Sequence, residues 1–231
     1  LVAGSTQILE LARRPPLPWT AQALCFLGFA CAFALRIPLF PLHPWAPGAQ
    51  AEAPGPGSIF LAGIAMKLGV YGFLRLCLPL FPAASRFFGP WIMGLALAGI
   101  LYFGLLALAE RDLKRLVAWA GLGQIGLAVV GLFALDPAAL KGSIVQLMNH
   151  GLALAALFLA AGALQARFRT NSIEGIGGVA RATPRLALAL AAAALASIGL
   201  PGTGGFPAWL MVLQGAFKAG ALPGAAAIAG L

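Results

Sequence analysis

The stretch Phe87-Phe-Gly-Pro-Trp-Ile-Met-Gly-Leu-Ala-Leu-Ala-Gly-Ile-Leu-Tyr-Phe-Gly-Leu-Leu-Ala-Leu-Ala109 contains no charged residue and ends abruptly at Glu110-Arg-Asp-Leu-Lys-Arg115. A bilayer core is crossed by about 20 consecutive apolar residues in a helix. Such a block therefore reads as a transmembrane helix followed by a polar turn. Five more complete blocks of this kind lie at about Leu17–Leu35, Ser58–Leu80, Leu116–Leu135, Ala138–Leu164 and Leu186–Phe217, and a seventh begins near Ala219. They are too long, and too rich in Leu and Ala, for ~10-residue barrel strands. Backbone polar groups in lipid must be satisfied internally, so the expected fold is all-α, a polytopic transmembrane helical bundle.

Composition agrees with that reading. The 231 residues are 61% hydrophobic and 9% charged, with a mean hydropathy of +0.94. A soluble domain is about one quarter charged. The net charge of +9 sits between apolar blocks, which points to topology and lipid headgroups rather than nucleic acid. One set of loops holds Arg111, Lys114, Arg115, Arg167, Arg169, Arg181 and Arg185; the opposite set holds Arg13, Arg14, Arg86, Lys141 and Lys218. The positive-inside rule assigns the first set to the cytoplasm, so the chain enters its first span from outside. Residues 1–231 read as a single transmembrane unit. Beginning at Leu1 and ending in an apolar run, it reads as a piece of a longer protein.

The block Leu186–Phe217 is over-long and interrupted by Gly199, Pro201, Gly202, Gly204, Gly205 and Pro207. A continuous helix cannot run through such a cluster. The expected structure is two half-helices joined by an unwound segment, a feature that in membranes lines an ion or substrate site. Pro38 and Pro41, after Arg36, predict a break at the end of the first span.

Chemistry-bearing residues inside these blocks are few. Lys67 lies in Ile59-Phe-Leu-Ala-Gly-Ile-Ala-Met-Lys67, about nine residues or ~13 Å into its helix. Hydrocarbon disfavours the charged form of an amine, and a side chain that can both hold and release a proton is what a relay requires. His150, beside Asn149 and Gln146 in another span, can pass a proton through either ring nitrogen. Arg36 supplies a fixed charge that it cannot release. Lys114 opens a helix just beyond a charged turn and is a weaker candidate. Cys25, Cys31 and Cys77 have neither metal-ligand spacing nor a disulfide framework. No iron–sulfur cysteine cluster, paired haem histidines, dinucleotide fingerprint or P-loop is present.

Several motifs together resemble one family: Arg36-Ile-Pro-Leu-Phe-Pro-Leu-His-Pro-Trp-Ala-Pro47, Glu52-Ala-Pro-Gly-Pro-Gly-Ser58, Lys67-Leu-Gly-Val-Tyr-Gly-Phe-Leu-Arg75, Asp112-Leu-Lys-Arg-Leu-Val-Ala118, Asn149-His-Gly151 and Gly199-Leu-Pro-Gly-Thr-Gly-Gly-Phe206. The chain is similar to the antiporter-like proton-channel subunits, of the subunit M type, of bacterial NADH:quinone oxidoreductase (complex I). Related chains occur in Mrp cation/proton antiporters and membrane-bound hydrogenases. The resemblance implies a multi-pass subunit of the bacterial inner membrane. It would translocate protons through buried Lys67 and His150, with Arg36, Gln124, Lys114 and Thr203 as further site or water-binding residues. NADH, FMN, iron–sulfur and quinone chemistry would reside in other subunits, and the partners would be neighbouring antiporter-like subunits and lipid. The chain departs from the family where Arg36 replaces a lysine, Gln124 a histidine and Trp209 a glutamate, and where the loop reads His43-Pro-Trp-Ala-Pro-Gly-Ala-Gln50. These changes imply an impaired or rerouted relay. A non-conducting structural subunit, an Mrp-type antiporter and a hydrogenase subunit remain alternatives.

Overall fold

A computed structural model describes Ile8 and residues 17–229; Arg13 and Arg14, assigned above to the outer side, lie outside the described residues. The helices are α1 (Trp19–Arg36), α2 (Trp45–Glu52), α3 (Gly55–Leu80), α4 (Pro82–Ala109), α5 (Leu113–Phe133), α6 (Pro137–Phe168), α7 (Val179–Ala182), α8 (Pro184–Ser197), α9 (Gly205–Ala219) and α10 (Ala221–Ala229). Among the described residues, five helices are long and apolar enough to cross a bilayer: α1, α3, α4, α5 and α6.

Helix α5 is the hub. It packs on α4, α6 and α9, and every residue from Ile125 to Phe133 is buried. Its start is fixed by Asp112, which accepts from Arg115 N at 2.9 Å. Helix α6 starts at Asp136 in the same manner, with its carboxylate accepting from Ala138 N at 3.0 Å and Ala139 N at 3.2 Å. Side-chain oxygens at these positions satisfy N–H groups that a helix leaves free.

Both expected breaks are present. Helix α1 stops at Arg36, because Pro38 and Pro41 cannot supply the N–H groups that would extend it. The segment after it, read from sequence as a loop, contains the short helix α2. Between α8 and α9, Gly199 (φ +63°) and Gly202 (φ +99°) take left-handed conformations that glycine adopts without penalty. Gly199 is also the floor under Trp209: a Cβ there would lie 2.9 Å from the indole Cδ2. The expected over-long span is thus two half-helices.

Two features of α3 have no signature in the sequence reading. Its turns at Leu61–Ala65 and Phe73–Cys77 are wound as π-helix, a local widening that recurs at functional positions. The first of them ends one residue before Met66-Lys67.

The two charged loops predicted to share one side do so. Leu113 N donates to Asn171 O and Ile173 N to Arg111 O, each at 2.9 Å. These bonds tie the α4–α5 turn to the segment that follows α6.

Candidate functional site

Lys67 stands at the middle of α3, twelve residues from its first and thirteen from its last. His150 is thirteen residues into the 32-residue α6. Both are therefore mid-span by length. The two helices cross where each carries glycine: a Cβ on Gly151 would lie 3.0 Å from Gly63 O and 3.6 Å from Lys67 Cε. The absence of side chains at Gly63 and Gly151 lets the backbones approach and lays the Lys67 stem beside the residue that follows His150.

The Lys67 ammonium folds back to donate to Ala62 O, inside the π turn. Arg36 reaches the same turn from α1, and its Nε donates to Ala65 O at 3.2 Å. Two cations thus sit on carbonyls of one widened turn. The approach of α1 again depends on missing side chains, since a Cβ on Gly69 would lie 2.5 Å from Ile37 Cγ1 and 2.9 Å from Phe33 O.

His150 is 3% exposed. Neither of its ring nitrogens has a hydrogen-bond partner in the protein. Gln146, one turn earlier, is 2% exposed, and its Oε1 also has no protein partner. Buried imidazole and amide atoms in this state are satisfied by water in folded proteins.

One turn beyond Gly121 on α5 comes Gln124. Its Nε2 donates to Ser197 Oγ at 3.4 Å, at the mouth of the second break. Its Oε1 is buried without a protein partner. Gln124 and Ile198 help to line a cleft of about 170 Å³ between α4 and α5, together with Ile100, Gly104, Ala120 and Gly123. Arg36 and Lys67 therefore share the Leu61–Ala65 turn, and the Lys67 stem lies against Gly151, the residue that follows His150.

The other candidates are carried by other segments. Lys114 is 5% exposed but sits seven residues before Gly121, ~10 Å along α5, and takes part in none of the ion pairs among the described residues. The Thr203 hydroxyl donates to Leu200 O at 2.8 Å and serves the turn between the half-helices. Trp209 covers Gly199, with its Nε1 buried and unpartnered. His43 lies among Phe40, Tyr102, Phe103 and Trp119, with ring centroids 4.9–6.0 Å from its own.

Two more polar residues border the site: Gln50, to which the sequence assigned no role, and Asn149, expected beside His150. Gln50 is fully buried on α2 and donates through Nε2 to Met66 Sδ at 3.4 Å, next to Lys67. Asn149 contacts the second break, where a Cβ on Gly204 would lie 2.5 Å from its Oδ1. For Gln50 the available signal was a polar residue within an otherwise small, apolar run.

The family profile described as NADH:quinone oxidoreductase/Mrp antiporter, TM, matches residues 1–230. This chain belongs to that family. It is 41% identical over 213 residues to NADH-quinone oxidoreductase subunit M of Rickettsia prowazekii, covering 92% of this chain and 43% of the relative. It is 42% identical over 211 residues to subunit M of Pseudomonas aeruginosa, covering 91% and 41%. Among solved structures, a chain of respiratory complex I from Thermus thermophilus with bound NADH matches with a TM-score of 0.94 at 36% identity, over 99% of this chain and 49% of that one. A chain of the Mrp complex from Dietzia sp. matches with a TM-score of 0.89 at 27% identity, over 99% and 43%. The chain spans less than half the length of each of these relatives. The all-α fold with discontinuous helices is that of the family.

Proposed function

We propose that this chain is part of a subunit M-type membrane component of a bacterial NADH:quinone oxidoreductase, and that it carries protons across the inner membrane through Lys67 and His150. The observation that supports this most is the Gly63–Gly151 crossing, which lays a mid-span lysine stem against the residue that follows a mid-span histidine with unpartnered nitrogens. Like charges in a low-dielectric site disfavour one another, so a proton arriving at one of the two favours its release from the other. Water between the ammonium and the imidazole is the natural carrier, because the ring has no protein partner to occupy it. Arg36, on the same π turn, holds a permanent charge and sets the electrostatic level at which Lys67 works without joining the relay. Gln124 cannot carry charge; it orients water onward from His150. Redox chemistry with NADH and quinone would take place in partner subunits and reach this chain through neighbouring antiporter-like subunits.

Replacing Lys67 with Ala in the assembled complex, reconstituted in proteoliposomes, should lower the number of protons moved per NADH oxidised. An unchanged stoichiometry would refute conduction here and leave the second reading, a non-conducting spacer. That reading is favoured by Arg36 and by Trp209 seated over the second break. The similarity to an Mrp chain adds an antiporter as a further alternative. Copurification with quinone-reductase subunits separates it from the leading one.

A further inference from the structure

We propose that Arg167, Arg181 and Arg185 form a binding site for the headgroup of an anionic phospholipid, whose acyl chains lie along the exposed face of α8. The site is independent of the Lys67–His150 route.

The three arginines lie in the segment where α6 ends and α8 begins. Arg167 Nη2 donates to Ala182 O at 3.5 Å, which brings the last turn of α6 against the end of α7. Arg181 is the neighbour of Ala182, and Arg185 lies in the first turn of α8. All three are exposed.

No carboxylate among the described residues neutralises them. Glu174 pairs with Arg111 at 3.6 Å, Glu52 with Arg115 at 3.3 Å and Asp136 with Lys218 at 2.6 Å. Asp112 caps α5, and Glu110 accepts from Trp119 Nε1 at 3.3 Å. The arginines are left with unopposed charge, and guanidinium groups match phosphate oxygens in geometry.

The position along the membrane fits a headgroup. Arg185 precedes the break at Ile198 by thirteen residues, or ~20 Å of helix. With that break at the midplane of a ~30 Å core, Arg185 stands just outside the hydrocarbon.

Charge alone would suit a soluble phosphate as well. Helix α8 decides for a lipid. Of its 14 residues only Ala193 is buried. Arg185, Leu188 (73% exposed), Ala192 and Leu195 (44% exposed) follow one another at spacings of three, four and three, which places them in one row down the helix. A guanidinium at the top of an apolar row matches a phosphate above acyl chains. Clusters of basic residues at the cytoplasmic end of membrane helices are drawn to anionic lipid for this reason.

The test uses the full-length subunit in its complex, reconstituted in phosphatidylcholine nanodiscs that carry equal amounts of photoactivatable phosphatidylglycerol or photoactivatable phosphatidylcholine. Crosslinks are mapped by mass spectrometry to Leu186–Leu195. Phosphatidylglycerol should label this segment in clear preference to phosphatidylcholine. The preference should fall roughly fivefold for each arginine changed to Gln and survive in the triple Arg→Lys variant. Equal labelling by the two lipids in the unmodified complex overturns the site. So does the absence of label from either lipid, which would mean that protein covers α8. Loss of the preference on adding inorganic phosphate at constant ionic strength would assign the arginines to a soluble anion and overturn it too. The comparison in the unmodified complex stands even if the Gln variants do not assemble.

Discussion

Substituting Gly151 by Ala tests whether the α3–α6 crossing governs the candidate relay. The added Cβ would sit 3.0 Å from Gly63 O, about 0.4 Å inside ordinary van der Waals separation. Its distance of 3.6 Å from Lys67 Cε is an ordinary contact, so the strain falls on the backbone of α3 and the Lys67 stem moves with it. Alanine gains about 1 kcal/mol of helix propensity over glycine, while overpacking costs about 1–3 kcal/mol. The net is a destabilisation of up to about 2 kcal/mol. The larger effect is expected on transfer, because displacement of reacting groups by ~1 Å can cost ~100-fold. A shift of less than half that should lower proton transfer by roughly tenfold. Gly162, on the same helix with nothing within 4 Å of its would-be Cβ, is the control, and Gly162→Ala should leave both properties unimpaired. Proton uptake per NADH oxidised in proteoliposomes reads the transfer, and thermal unfolding of the purified complex reads the stability. Indistinguishable behaviour of the two alanine variants would refute the role given to the crossing.

Two further outcomes are expected. The Asp136 carboxyl is held below its usual range, first by the Lys218 hydrogen bond; burial opposes this, and the α6 N–H groups of Ala139 and Ala138 and the Lys218 charge add to the lowering. A depressed folded-state value means that the pair's stabilisation is fully present above the ordinary carboxylate range near pH 4 and is lost as pH falls through the folded value. The Tm difference between wild type and Lys218→Met should therefore shrink on acidification below about pH 4; a difference that grew there would contradict the assignment. At the second break, Gly202→Ala should cost only the ~1 kcal/mol of a left-handed alanine, since its Cβ meets nothing within 4 Å. Gly199→Ala adds a clash with the Trp209 ring and should lower Tm further, whereas equal shifts would show that Trp209 does not depend on Gly199.

Much of the bundle was legible because hydrocarbon imposes a single rule on long segments. The uncharged block ending at Ala109 could only be a helix, and it is the core of α4. The glycine and proline run at Gly199–Pro207 could not be continuous, and α8 stops at Ser197. Lys67 and His150 stood out since an ionisable group is rare in such blocks. The short helix α2 escaped the reading because its Pro-rich, mixed sequence carries no apolar period, and its order comes from burial of Ala46, Pro47, Gln50 and Ala51 against the bundle. The π turns of α3 escaped it because π and α windings differ by one residue in hydrogen-bond span and demand no particular side chains.

Local sequence settled which segments are helical, where they break and which of them carry a titratable group, for these depend on side-chain volume, backbone conformation and solvation within a few residues. The neighbour of each group was decided by packing across elements. Lys67 and His150 are 83 positions apart, and their helices come together since glycines at 63 and 151 allow two backbones to touch. Arg36 reaches the same π turn because Gly69 lets α1 close on α3. A glycine in a list of residues does not say what fills the space it leaves; the opposite helix does.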